Sequence, residues 1–416
     1  MSPSVTSHIQ HFRWGIRARR GTRAPGPFSL IGIVCLLLQA PVAAVGQVPD
    51  LRIRMVWETG RTTLATGERI DQNTWAARTQ AGVTLFPSSR LRVRTRVAGI
   101  LSSQQEGSRF LFQSHAPGPG GLRPGDWTVD ELNLELLPAD GWRIRAGRLQ
   151  TGFSLPAVIS RSLDRIDSPS GSVTWTDGLH VEAPLPGAMK GHLVLQHQSP
   201  QGTTNTIRPP LDFGTSDPGW SLFSSVSLGA PRGRILASAV DWTYLPSVTP
   251  VPGPPAASPE PDPAVTALVT GDPKSYHALV SRVAVLVADD LVAGGRLVAG
   301  FEGGAAWGTP ARSLVGVGRT GTGESQGLAF LASLSLQNMG RRHSLGGSFA
   351  SVGDGWLISP SFLPNYREVE ARYRLQLHPR SVVEVRIRGR KQVIPMTGRT
   401  GRRGETNGFV RMTLSW

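Results

Sequence analysis

The residues able to do chemistry in this chain are dominated by one type. Of 44 basic residues, 41 are arginine and the other three are Lys190, Lys274 and Lys391, against 29 acids and nine histidines, for a formal net charge of +15. A Ser/His hydrolase needs its nucleophile and base within hydrogen-bond reach and a third group to orient the base. His343-Ser344 lies on an alternating segment with no acid or metal ligand at a defined spacing, so no such set can be assembled. Asp289-Asp290 falls in a turn pattern, where solvated acids are the simpler expectation than metal ligands. The glycine pairs at 294–295, 303–304 and 346–347 lack the strand–glycine–helix setting of a phosphate-cradling loop. The expectation is a chain without catalytic, cofactor or metal site.

The arginines carry the pattern instead. In 90–101, Arg92, Arg94 and Arg96 share one face, opposite Leu91, Val93, Val97 and Leu101. In 366–377, Arg372 and Arg374 share a face with Glu368 and Glu370, opposite Val369, Ala371, Tyr373, Leu375 and Leu377. In 381–391, Glu384, Arg386, Arg388 and Arg390 oppose Val383, Val385 and Ile387, and near the start Arg52 and Arg54 oppose Leu51, Ile53, Met55 and Trp57. A period of two is that of a β-strand. A basic chain could also suggest nucleic acid, but that requires basic patches beside aromatic platforms or a known motif, so no nucleic-acid partner is expected. Arginines placed singly between apolar residues suit a wall with lipid on one side and water on the other. An arginine facing the bilayer midplane would cost about 2–4 kcal/mol, so these must face a lumen.

Sixteen segments of this kind recur along the chain. Short connections (PSS at 87–89, PADG at 138–141, APRG at 230–233, NMGR at 338–341, HPRS at 378–381) alternate with long ones (102–126, 150–173, 200–219, 246–274, 303–326). Tight turns on one side and long loops on the other predict an all-β fold, a transmembrane antiparallel β-barrel of about sixteen strands with short periplasmic turns and long external loops. No apolar run of 18 residues follows the N-terminal region, which excludes a helical membrane protein. The proline-rich stretch 245–263 has strands on both sides and reads as an external loop rather than a linker.

Residues 1–46 read as a signal peptide, with Arg13, Arg17, Arg19, Arg20 and Arg23 ahead of the apolar run Phe28–Ala40 and the small-residue stretch PVAAVGQ. Cys35, the one cysteine, lies within that run, so the exported chain has no thiol. The barrel domain is then 47–416, in the bacterial outer membrane. Trp57, Trp75, Trp127, Trp220 and Trp242 fall at external strand ends and Trp142 and Trp416 at periplasmic ends, as interfacial girdles require. The chain ends in GFVRMTLSW, a closing strand whose terminal Trp416 reads as the signal to barrel-assembly machinery.

From residue 47 to the end the chain resembles a bacterial sixteen-stranded outer-membrane porin, and GRLQTGFSLPAVISRSLDRIDSPSGSVTWTDGL (147–179) resembles the third-loop region of phosphate-selective porins O and P. That resemblance implies a loop folded inward to narrow a pore. Arg161, Asp164, Arg165 and Asp167 would set the field there. The family's phosphate selectivity is associated with lysine-rich pores and is not carried over to a chain with three lysines.

The expected role is passive diffusion of small hydrophilic solutes with a preference for anions. The alternatives are a channel for one solute, phosphate or an organic anion, and a closed barrel of structural or enzymatic role. The pore lining expected from alternation is Arg52, Arg54, Arg78, Arg92, Arg94, Arg96, Arg143, Arg145, Arg372, Arg374, Arg386, Arg388, Arg390 and Arg411. Twelve of these lie on the continuous wall formed by the last three and first three strands, against four inward acids, Glu58, Glu368, Glu370 and Glu384. Expected partners are outer-membrane lipids, the assembly machinery and small anionic or polar solutes, with a homotrimer as one open assembly.

Overall fold

The computed structural model describes residues 46–103, 105, 107–111, 122, 124–166, 173–198, 208, 210–213, 218–250, 273–318 and 320–416. The signal segment lies outside the described residues except Gly46, and so does the proline-rich loop beyond Pro250.

The described strands are β1 (Gly46–Thr63), β2 (Arg69–Ser88), β3 (Leu91–Ser102), β4 (Arg109–Leu111), β5 (Asp126–Leu136) and β6 (Arg143–Leu149). They continue with β7 (Thr176–Leu185), β8 (Met189–Gln198), β9 (Leu211–Asp212), β10 (Gly219–Leu228), β11 (Ile235–Pro250) and β12 (Lys274–Leu291). The last six are β13 (Gly295–Trp307), β14 (Leu328–Met339), β15 (His343–Val352), β16 (Tyr366–His378), β17 (Ser381–Gln392) and β18 (Gly404–Ser415). Short β4 runs parallel to β5 and short β9 caps the end of β11. The other sixteen form one antiparallel sheet, each paired with its neighbours in the barrel.

The sheet closes. β1 pairs with β18 from Arg52↔Ser415 to Thr63↔Gly404. The last residue finishes the seam, with Trp416 N donating to Leu51 O at 2.9 Å and Leu51 N donating to Trp416 O at 3.3 Å. Closure leaves no row of unpaired backbone groups, the condition for a sheet to stand in lipid.

Alternation sorts the faces as expected. Met55, Trp57, Val369, Ile387 and Val410 lie exposed on the outside. Trp57 sits directly opposite Trp75, and Trp242, Tyr244, His277 and Trp307 stack in series with centroid separations of 5.8, 4.8 and 5.6 Å. The first hairpin is longer than its apolar pattern, which ends at Trp57 and resumes at Trp75. Its tip is held by polar pairs, Arg61 to Asp71 at 2.7 Å and Trp57 Nε1 to Asn73 at 2.5 Å. Beyond the apolar belt both faces are wet, so hydrophobic alternation no longer marks the strand.

Candidate functional site

Among the described residues, two connections fold back inside the barrel, joined by Arg208 from a third, and the inner faces that receive them explain why. On β12, β14 and β15 the inward side chains include Tyr276, Ala278, Val280, Ala329, Leu331, Ala350 and Val352, all buried. A strand that is apolar on both faces needs cover on both. Inside, the cover comes from Leu163 in the 150–175 connection and from Trp356, Leu357, Ile358 and Phe362 in the 353–365 connection. Lower in the barrel Leu155 packs on Ala284 and Val298. Gly304 and Gly346, from two of the three glycine pairs noted in the sequence, make room for these loops. A Cβ on Gly346 would stand 2.9 Å from Val158, and one on Gly304 would run into the Trp356 ring.

Polar bonds then pin the 150–175 connection. Glu302 accepts from Leu163 N at 2.8 Å and Ser162 Oγ at 3.1 Å. Val158 N donates to Ser335 Oγ at 3.1 Å. Trp356 Nε1 donates to Leu163 O and Ser359 Oγ to Ser162 O, both at 2.8 Å. The two inward connections therefore hold each other as well as the wall.

Asp164 and Arg165, expected at the aperture, are instead wholly buried between loop and wall. Thr243 Oγ1 donates to Asp164 at 2.7 Å. Arg165 donates to Thr151 and Thr176 at 2.9 Å and to Gln196 Oε1 at 2.6 Å. Charged groups can be buried where hydrogen bonds replace water, and β7, β8 and β11 supply the hydroxyls and amide. Burial pushes the Asp164 carboxyl up from its ordinary value, against the opposing pull of Thr243, Arg165 and Arg282. Asp167 lies outside the described residues. Of the three that are described, Arg161 alone lines the lumen. It stacks 3.9 Å from the Phe362 centroid and donates to Glu368 and, at 3.1 Å, to Glu370.

Between the loops and the far wall lies a cavity of about 560 Å³ lined by Arg52, Arg54, Arg372, Arg374, Arg388, Arg390 and Arg411 on the wall and by Arg161 and Arg208 across from it. Glu384, Ser154, Ser160, Ser361 and Thr413 complete the polar lining. Arg78 and Arg386 line a smaller space of about 130 Å³ together with Arg54, Arg388, Arg411 and Glu58. There Arg386 and Arg411 stand 4.1 and 5.0 Å from the Phe409 centroid, an inward aromatic that spaces the guanidinium groups.

The remaining expected positions line neither space. Arg92 bonds Glu135 at 3.0 Å, Arg94 pairs with Glu131 at 3.1 Å and Arg96 with Asp130 at 2.8 Å. Arg143 lies 3.7 Å from Glu182, and Arg145 meets His180 Nδ1 at 2.6 Å. The acid count was thus too low. Glu405 takes Arg390 at 2.5 Å, Asp50 lies 3.7 Å from Arg96, and β5 sets Asp130, Glu131 and Glu135 against the β3 arginines. Cross-strand partners bring these acids in, which reading one strand at a time does not show. Glu384 takes Arg411 at 2.6 Å and Arg372 at 3.6 Å, and Glu58 takes Arg386 at 2.9 Å. Arg52 and Arg374 have no carboxylate within ion-pair distance among the described residues.

Sequence reading missed Arg208 and the 353–365 connection. Arg208 N donates to Leu357 O at 2.9 Å, and burial, with Arg161 and Arg390 nearby, pushes its guanidinium down to about 10. The apolar run WLISPSFL at 356–363 was the available signal, because a solvated loop has no use for it.

No protein-family model matches the chain, and no curated protein does. Solved structures do. OprB of Pseudomonas putida aligns at TM-score 0.58 with 11% identity, covering 88% of this chain and 94% of that one. An anion-selective porin from Comamonas acidovorans aligns at 0.53 with 9% identity, covering 89% and 100%. The outer membrane channel DcaP of Acinetobacter baumannii aligns at 0.52 with 11% identity, covering 90% and 99%. The fold is therefore that of the sixteen-stranded outer-membrane porin barrels. None of the three is described as phosphate-selective, and the likeness of 147–179 to porins O and P rests on sequence alone.

Proposed function

We propose that the chain is a porin of the bacterial outer membrane, passing small hydrophilic solutes by diffusion and preferring anions. The observation that carries this reading is the cavity of about 560 Å³ inside a closed barrel, lined by nine arginines and one glutamate. Low-dielectric walls around narrow water focus such a field, enriching anions and opposing cations. The planar guanidinium groups present forked donors that suit carboxylate and phosphate oxygens. The pairing of the terminal Trp416 with Leu51 supports a role for the last strand in assembly.

Purified protein in a planar bilayer under a potassium chloride gradient tests the reading. The reversal potential should report chloride over potassium, with the preference weakening at high ionic strength as screening shortens the field's reach. A conducting pore that prefers potassium would remove the anion preference, and a barrel without conductance would remove the porin reading.

A further inference from the structure

Two cations meet on the outer face of the barrel, where alternation otherwise places apolar side chains. Arg367 on β16 and Lys391 on β17 are direct cross-strand partners, and both are exposed. Neither has an ion-pair partner among the described residues. Like charges directly opposite one another destabilise a sheet. An anion lying over both would reverse that penalty.

The surface beside them is shaped for more than a small ion. One register step toward the belt, Val369 pairs with Gly389 and Gly389 with Thr406; in the same row as the cations, Lys391 pairs with Gly404. A Cβ on Gly389 would meet nothing within 4 Å, so the wall is bare there. Phe349 and Val369 bound the resulting groove of about 420 Å³, with Arg367 and Lys391 at its head. Arg61, the third outward cation on this groove, already carries Asp71 at 2.7 Å. The pair sits where β16 and β17 give way to the 353–365 and 393–403 connections, the strand ends on the side of the long loops, where a barrel in lipid would meet the headgroups of that leaflet.

We propose that this groove binds a phosphorylated lipid of the outer leaflet, its phosphate bridging Arg367 and Lys391 and an acyl chain lying along the Gly389 trough. The inference rests on the outer-membrane reading, since only a barrel in lipid presents this face to a leaflet. Charge complementarity selects the headgroup, because two unpaired cations at one register level suit a divalent phosphate oxyanion. The open trough selects a lipid over a soluble phosphate, which would leave it uncovered.

The test uses the full-length barrel in detergent, titrated with bis-phosphorylated lipid A and read by native mass spectrometry, with dephosphorylated lipid A and inorganic phosphate as separate probes. The wild type should retain the phosphorylated lipid, and the R367Q/K391Q variant should retain it about tenfold or more less strongly, as loss of two surface cations predicts. Gly389→Leu, which fills the trough and leaves the charges alone, should also weaken retention. Heat-modifiable migration and single-channel conductance of each variant should match the wild type, since none of these side chains faces the lumen. Equal retention by wild type and R367Q/K391Q, equal retention of the dephosphorylated lipid, or displacement by inorganic phosphate would each overturn the proposal. A barrel that retains the lipid through this pair yet conducts nothing would sink the porin reading while leaving the lipid site standing.

Discussion

The two halves of the barrel share an outer face and differ on the inner one. On β16, β17, β18 and β1 arginine and glutamate dominate the inward positions, with Val382, Phe409 and Thr413 between them, and the wall stands open to the cavity. On β12, β14 and β15 they are Tyr276, Ala278, Val280, Leu331, Ala350 and Val352, and the wall is covered by two loops. The charged half needs no cover, because water and partner carboxylates solvate it. The apolar half cannot be left wet, and burying it is worth roughly 25 cal/mol per Å² of apolar surface. The position of the narrowing follows from this difference: the loops go where the inner wall is apolar, and the lumen remains where it is charged.

The largest test of the comparison is to remove charge from the open half. Replacing Arg52 and Arg374 with Gln, two wall arginines with no carboxylate within ion-pair distance among the described residues, should lower the chloride-to-potassium permeability ratio by about tenfold, given how strongly a confined field concentrates ions. R92Q/R94Q, which removes arginines already matched by Glu135 and Glu131, should change the reversal potential far less. Equal shifts from the two variants would mean that ion pairing along the wall does not decide selectivity.

The covered half can be broken at its center. Trp356 is fully buried, and Trp356→Ala should cost the seat of the two loops about 3–5 kcal/mol. Single-channel conductance should rise and fluctuate while the barrel keeps its heat-modifiable migration. Unchanged conductance would show that Glu302 and Thr243 hold the 150–175 connection without the apolar contact.

A smaller effect should come from pH. Burial raises the Asp164 carboxyl in the folded loop, so the folded form holds its proton where an unfolded chain has lost it. Loop anchoring is then strongest on the acid side and weakens as pH rises from the ordinary carboxylate range through the raised value. Asp164→Asn should flatten that dependence, read as conductance noise against pH. A wild-type loop that tightens as pH rises would contradict the sign.

Much of the architecture was legible in the residues because a barrel strand's signal is local. Period two, turn chemistry and the alternation of short and long connections located sixteen strands, short by five or six residues at the tips of β1, β2, β11 and β13, and the C-terminal GFVRMTLSW marked the closing edge. The inward orientation of the arginines was equally local, since a side chain's face follows from its parity along the strand.

What parity cannot supply is who sits across the sheet or across the lumen. The pairing of Arg92, Arg94 and Arg96 with β5 carboxylates depends on register between strands more than thirty residues apart. The burial of Asp164 and Arg165 depends on Thr243 and Gln196, brought near only when the sheet closes. The sequence by itself determined a closed, arginine-faced barrel. Tertiary structure alone decided which arginines stay uncompensated and which loops narrow the lumen, because both are set by contacts between segments that lie far apart in the chain and become neighbours only in the finished cylinder.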